Sequence, residues 1–507
     1  MTAEITALKN RIAELETLVK YYEEQFRLFK HRQFGASSEK SEYDQISLFN
    51  EAEIEADANV AEPELTEIKR HFRKRKRTAG DRLPDNIPVE VVEHELPPEE
   101  QICGECGGSL HVMGRDSRRE LVIIPAQVKI REHVSKVYAC RNCENNSDHV
   151  PIVKVSLPES VIKGSFASPE AIAHIMTQKF VMGVPLYRQE QEWNRQGIML
   201  SRQTMSNWLI RATEDWLEPI YDAMREILCK SHSVLHADET TLQVLQEPGK
   251  TPQSKSYMWL YRTSGDTNNP IVLYDYQLDR KAKRPAEFLK DFKGYLHTDG
   301  YEGYHDLPET IVIVGCFAHV RRKFDEALKI VPEKGRPESE AFRGKRYCDR
   351  LFGLERDFAD LSPHERFKKR QELSKPLIDE FFGWLESLTT ISKSSIGVAV
   401  NYALSQRKYL QRYLLDGRLE ISNNRAERSI KPFVISRKNF LFANTPRGAK
   451  SSAVMFSLIE SAKECGLNPF AYLSYVFTNA PNFDIPNNLD ALNLLLPWFA
   501  PLSCKAK

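Results

Sequence analysis

The sequence predicts a multidomain chain of the α/β class, with a strand-rich core split by a helical insertion and smaller units ahead of it. Three observations predict this. A chain of 507 residues exceeds what one hydrophobic core usually holds. Its apolar period changes along its length, from seven near the N-terminus to two after Ser233, and then to that of helices beyond about Lys323. Two Cys-x-x-Cys pairs also mark off a compact unit of their own. Hydrophobic content of 41% with 28% charged residues is that of ordinary globular protein. The net charge of +1 is uninformative as a total, so any surface for a polyanion must come from local segregation of charge. No apolar run reaches the length of a bilayer span; LNLLLPWFAPL is too short and holds two prolines. The charged N-terminal helix carries no hydrophobic signal region, so a cytoplasmic protein with no membrane partner is expected. There, nine cysteines argue for metal ligands or buried thiols rather than disulfides.

From the N-terminus, Ile5, Ile12, Val19 and Phe26 fill one heptad position, and Leu8, Leu15, Tyr22 and Phe29 the other. That pattern suits a parallel two-stranded coiled coil, so a homodimer or higher oligomer is expected. A polar linker follows, acidic from Glu51 to Glu67 and then basic in KRHFRKRKR, Lys69 to Arg77. Cys103, Cys106, Cys140 and Cys143 form two knuckles at the separation of a structural zinc ribbon. Four thiolates leave no open coordination position, so this Zn2+ is expected to be structural.

Ser168-Pro169-Glu170 starts a helix to Phe180, with Ser as cap and Pro in its first turn. Leu186 to Gln196 is a second helix. Ser201 caps a third, RQTMSNWL, whose Arg202, Gln203 and Asn207 could face base edges. The three resemble a helix-turn-helix, although a small bundle with no nucleic-acid role has the same pattern.

From Ser233, VLHADETTLQV, YMWLYRT and IVLYDYQL read as three strands, PAEFLKDF as a helix, GYLHTDGY as a fourth strand and TIVIVGCFAHV as a fifth. With a helix between the last two, this is the order of a ribonuclease-H-like domain. In such a sheet the first and fourth strands are neighbours, which brings Asp238 and Asp299 to matched depths. Buried carboxylates that close need a cation between them.

The stretch Leu419 to Lys450 is strongly basic: Arg425, Arg428, Lys431, Arg437, Lys438, Arg447 and Lys450 stand against Glu420 and Glu427. A helix is expected from Asn424 to Lys431, closed by Pro432, with Asn424, Glu427, Arg428 and Lys431 on one face. Glu427 could complete an oxygen cage for two magnesium ions with Asp238 and Asp299. It could instead return a bond to Asn424 in a capping box.

HADET, HTDGY, GCFAHVRRKF, EISNNRAER and RKNFLFANTPRGA, in that order, resemble the DDE transposases of the insertion-sequence-sixty-six family. The likeness covers nearly the whole chain, down to PFAYL and LLPWF near the C-terminus. It implies Asp238, Asp299 and Glu427 as the catalytic triad and favours Glu427 over Glu420. It also suggests accessory proteins of the same element as partners. The sequence departs from the usual pattern at PRGAK and at Ser-Asn-Asn, and neither departure removes an acid.

The expected organisation is a coiled coil over 1–33, a linker over 34–85, a zinc ribbon over 86–158 and a helical DNA-binding domain over 159–230. A ribonuclease-H-like catalytic domain over 231–322 and 412–450 is split by a helical insertion, 323–411, and followed by a C-terminal helical region, 451–507. Arg321, Arg322, Lys323, Lys368, Lys369 and Arg370 could give the insertion a basic face for DNA; a solvated helical surface reads the same. Cys316 lies in an apolar run and reads as core, with His319 near the acids.

The expected reaction uses two Mg2+ at the three acids. Water cleaves a phosphodiester at the element's end, and the freed 3′-hydroxyl then attacks target DNA. Arg428, Lys431, Arg437 and Lys438 would neutralise phosphates. The rival readings are a ribonuclease-H-like nuclease without strand transfer and a zinc-dependent DNA-binding regulator.

Overall fold

The computed structural model describes residues 128–139, 152–483, 485 and 488–506, with helical positions 11, 12, 15, 19, 22, 23 and 26. They belong to two compact units, one of residues 36–157 and one of residues 1–35 with 158–506. The four ribbon cysteines, the acidic linker and the basic run lie outside the described residues. In the smaller unit β1 (Val137–Ala139) pairs antiparallel with β2 (Ile152–Lys154), Tyr138 opposite Val153. Of the N-terminal heptad, Ile12, Leu15, Val19, Tyr22 and Phe26 are helical, and their side chains are exposed.

The larger unit opens with α1 (Pro169–Phe180), α2 (Leu186–Arg195) and α3 (Arg202–Ala212). Ser168 and Ser201 cap α1 and α3, each hydroxyl accepting a backbone N–H of the first turn, from Ala171 and Thr204. A π turn, Thr213–Leu217, carries α3 into α4 (Glu218–Ser231). The sheet follows: β3 (Val234–Gln243), β4 (Lys255–Thr263), β5 (Val272–Gln277), then α5 (Lys283–Phe288), β6 (Gly294–His297) and β7 (Ile311–Val314). Its spatial order is β5-β4-β3-β6-β7, antiparallel among the first three and parallel from β3 through β6 to β7.

After the sheet come α6 (Phe317–Ile330), α7 (Glu340–Asp357), α8 (Pro363–Lys369), α9 (Lys375–Ser387), α10 (Ser395–Ser405) and α11 (Arg407–Leu410). The chain then returns through α12 (Asn424–Phe440) and closes with α13 (Pro446–Glu464), α14 (Pro469–Asn479) and α15 (Leu489–Leu494). No described helix is long and apolar enough to cross a membrane.

Side chains alternate across a strand, so one sheet can serve two cores. Leu235 and Ala237 of β3 and Ile311 and Ile313 of β7 join α1, α3, α4 and α13 in the larger core. Val234 and Val314 point the other way, into a second core with Phe317 and Phe324 of α6, Tyr347 of α7, Phe381 and Trp384 of α9 and Val400 of α10. The insertion therefore folds around apolar residues of its own and rests them on the sheet. On the far edge, Ser457 and Ser461 of α13 accept the Tyr274 and Val272 amides of β5 at 2.8 and 2.9 Å, which closes an otherwise open strand edge.

Three expectations about element boundaries are corrected. No helix joins β6 to β7; the segment with Gly300, Gly303 and Pro308 forms only a short turn, Glu302–Tyr304. The fifth strand stops at Val314, because a Cβ at Gly315 would stand 3.1 Å from the Leu410 amide and Cys316 already caps α6. The helix from Asn424 runs through Pro432 to Phe440, since Ala426, Ile430 and Phe433 keep one buried stripe across the lost donor.

Candidate active site

The site is built on the parallel pair β3 and β6, where His236 stands opposite His297. The two rings stack at 4.4 Å between centroids and are fully buried. Burial pushes His236 down to about 3 and His297 below its ordinary value, so both are neutral at physiological pH. Asp238, within β3, and Asp299, two residues past the end of β6, each follow their histidine by two residues. Asp238 Oδ1 accepts the Glu239 amide at 2.8 Å, and Asp299 Oδ1 accepts the Tyr301 amide at 2.9 Å.

Asn423 hangs the third acid beside them. Its Nδ2 donates to the Ala237 carbonyl at 2.8 Å, which turns its Oδ1 to His236 Nδ1 at 3.0 Å. Its own amide donates to Cys316 Sγ at 3.1 Å. Asn423 thus pins the start of α12 to the strand one residue before Asp238. No side chain caps α12, so the capping box expected between Asn424 and Glu427 does not form. Glu427 faces the site instead, with Oε1 3.7 Å from His319 Nδ1. Glu420 meets the histidine pair instead: its amide donates to His297 Nε2 at 3.2 Å, and its Oε1 lies 3.7 Å from His236 Nε2 and accepts Arg425 Nε at 2.8 Å.

The acids sense one another. Burial pushes the Asp238 carboxyl well above the usual range, and the charges of Glu239, Asp299 and Glu427 push it the same way. Glu239 is answered by its own partners, Arg280 Nε at 2.8 Å and the Tyr304 hydroxyl at 2.6 Å. Arg280 also comes within 4.0 Å of Asp299 Oδ2. Asp238 has no ion pair among the described residues. A group of carboxylates with this surplus of negative charge and oxygen donors suits hard divalent cations. The three acids do not close on a single point. Among the described residues, the one group of three ligand atoms all within 4.8 Å is Cys316, His319 and Glu427. Cys316 is buried and its thiol is pushed up to about 12, so it is a neutral core thiol rather than a ligand.

The basic stretch sorts into two kinds of cation. Arg425, Arg447 and Lys450 are ion-paired to Glu420, Glu214 and Glu218. Arg437, expected on phosphates, instead turns inward: its Nη1 donates to Thr241 Oγ1 at 3.0 Å, tying α12 to β3. Arg428 and Lys431 are exposed on the face that carries Glu427, and Lys438 is half-exposed. On the insertion, Arg370 is 1% exposed and bonds Glu355 and the Leu419 carbonyl, so it leaves the candidate basic face. Arg202, Gln203 and Asn207 are exposed together on α3, with Gln203 Nε2 donating to Asn207 Oδ1 at 3.2 Å. Sequence reasoning missed Glu239 and Arg280. Glu239 is adjacent to Asp238 in HADET and could have been flagged; nothing marks Arg280, whose role depends on the turn after β5.

Comparison with known proteins follows the same architecture. The profile of the "Transposase IS66 family" matches residues 164–451, and "zinc-finger binding domain of transposase IS66" matches 100–144, which holds all four ribbon cysteines. "Transposase C of IS166 homeodomain" matches 21–92 and "IS66 C-terminal element" matches 457–498. Similar proteins of Sinorhizobium fredii include Uncharacterized protein y4qI, 30% identical over 98% of this chain and 92% of its own length. Uncharacterized protein y4jD is 31% identical over 82% and 81%. Uncharacterized protein y4hP is 31% identical over 89% and 82%.

Proposed function

The chain belongs to the IS66 transposase family, and from that premise we propose that it cleaves DNA at the ends of an insertion element and joins them to target DNA. The strand order and the split by helices support reading the α/β core as ribonuclease-H-like. The observation that carries the proposal is the acid geometry. Asp238 and Asp299 lie two residues past a buried histidine pair on adjacent parallel strands, and Asn423 seats the helix bearing Glu427 beside them.

Asp238, Asp299 and Glu427 would hold two Mg2+, with His319 beside them, its Nδ1 3.7 Å from Glu427 Oε1. When bound, the cations lower the pKa of the attacking hydroxyl and neutralise the leaving oxygen. Water adds to the phosphorus and the strand's 3′-oxygen leaves with a proton; that 3′-hydroxyl then gives up its proton and attacks a target phosphorus at the same acids, displacing the target strand's 3′-oxygen, which takes up a proton. Arg428, Lys431 and Lys438 neutralise backbone phosphates, while Arg202, Gln203 and Asn207 read base edges from α3. Cys103, Cys106, Cys140 and Cys143 bind a structural Zn2+, and the N-terminal heptad joins two copies.

The test uses the full chain, a duplex carrying an element end and Mg2+. Wild type should nick the end and join a pre-cut end to target. Asp238→Asn should lose at least about a thousandfold in cleavage while binding the end as before. Cleavage by Asp238→Asn at the wild-type rate would refute the assignment, and nicking without joining would leave a plain nuclease.

A further inference from the structure

Metal-binding acids account for only one side of a phosphodiester. The non-bridging oxygens that do not face the cations need hydrogen-bond donors, and the sheet offers none to spare. Arg280 is committed to Glu239 and stacked 3.6 Å over the Tyr301 ring. The Tyr304 hydroxyl is committed to Glu239 as well. The donors come from the other side.

Tyr402, on α10 of the insertion, lies on the backbone immediately after Asp299. A Cβ at Gly300 would stand 2.9 Å from the Tyr402 hydroxyl and 3.1 Å from its ring. Gly300 has no positive φ, so the Asp-Gly pair is not explained by turn conformation. The glycine is there because a side chain would push this ring away from the acids. The hydrogen bonds at Tyr402 among the described residues run through its backbone carbonyl, to the Ser405 hydroxyl and the Gln406 amide. The phenol has no protein partner among those residues. Its pKa is raised first by burial, then by the charges of Cys316, Asp299 and Glu427, with Arg322 opposing. The phenol thus rests against the backbone residue that follows Asp299.

Arg322, on α6, is the second donor. Its chain neighbours are occupied: Arg321 bonds Asp349 at 2.5 Å, and Lys323 is within 3.9 Å of Glu326. Arg322 is exposed and has no ion pair among the described residues. It stands three residues after His319 on α6, on the helix face whose His319 Nδ1 lies 3.7 Å from Glu427 Oε1. A guanidinium on the face that meets Glu427 and a phenol beside Asp299 thus flank two of the three acids.

We propose that Arg322 and Tyr402 form a phosphate-holding subsite, donating to the non-bridging oxygens of the scissile phosphodiester opposite Asp238, Asp299 and Glu427. This rests on the cleavage reading above. The insertion then completes the active site rather than merely decorating it. Arginine supplies a planar fork for two phosphate oxygens, and tyrosine a single stiff donor.

The test is single-turnover cleavage of a pre-bound element end with Mg2+ by four full-length chains: wild type, Tyr402→Phe, Arg322→Lys and Asp238→Asn. Phenylalanine keeps the ring against Gly300 and removes only the hydroxyl. Tyr402→Phe should cleave about a hundredfold more slowly, with end affinity and melting temperature unchanged. Arg322→Lys keeps the charge but loses the fork and should slow cleavage about tenfold. Tyr402→Phe at the wild-type rate, or slowed only together with a lower melting temperature, overturns the subsite while Asp238→Asn remains inactive. If Asp238→Asn cleaves like wild type, the acid reading fails and the subsite with it.

Discussion

Two regions meet at the acids and hold their side chains by different means. On the sheet side, Asp238 is fixed in the ladder opposite Leu260 of β4, and Asp299 follows the last β6 pair by two residues; a one-residue slip of β3 against β6 would break the His236–His297 pair. On the insertion side, Arg322 and Tyr402 stand within α6 and α10, helices whose position depends on side-chain packing around Phe381 and its neighbours. Register places a carboxylate whatever the sequence around it. Packing places a donor only while its core is intact. The sheet side should therefore fail by loss of charge, and the insertion side by loss of seating.

The largest effect expected is Asp238→Asn, which removes a charge without disturbing register: cleavage falls at least about a thousandfold and end binding stays. Next comes Tyr402→Phe, about a hundredfold, which removes a donor without disturbing packing. Phe381→Ala tests seating itself. Phe381 is fully buried, with the Tyr347 ring 5.5 Å and the Phe324 ring 6.1 Å away. Its loss should cost about 3–5 kcal/mol and melt the insertion ahead of the sheet, seen as a separate low-temperature transition by calorimetry. Cleavage should fall with that transition while binding through α3 persists. A single transition would mean the two regions fold as one.

The smallest effect concerns the sheet away from the acids. Asp275 on β5 has its carboxyl pushed up to about 6 by burial, with Arg225 and Arg284 opposing and Glu287 adding. Its folded pKa exceeds the unfolded value of 3.8, so the native state keeps the proton longer. Its contribution is favourable at low pH and is lost as pH rises from 3.8 to about 6. Asp275→Asn should remove that slope and stabilise the protein by about 2 kcal/mol at pH 7, read from denaturant midpoints at several pH values. An unchanged pH profile would show that the carboxyl is solvated.

The same contrast explains what could be read from the sequence. As candidates, Asp238 and Asp299 stood out because an acid within or just after an apolar strand run is conspicuous. The adjacency of their strands followed from the order of elements. Ser168 and Ser201 announced their helices by local chemistry alone. Tertiary facts were not legible. Pro432 looks like a stop until the buried stripe of Ala426, Ile430 and Phe433 is known. Arg370 looks like surface, yet the Leu419 carbonyl and Glu355 hold it inside. Tyr402 is one aromatic among many in a helical stretch, and only the closeness of Gly300 gives it a role. Glu427 stood out as a charge among cations, and the cap alternative falls because the helix's N-cap position is Asn423, whose side chain turns to His236 and Ala237.

The claim beneath all of this is that acids from β3, the turn after β6 and α12 act as one cation-binding group. Titration of Mn2+ into the zinc-loaded full chain, followed by electron paramagnetic resonance, tests it without any reaction. About two Mn2+ should bind per wild-type chain, and Asp238→Asn or Glu427→Gln should each weaken that binding at least about tenfold. Equal Mn2+ binding by all three chains would contradict it.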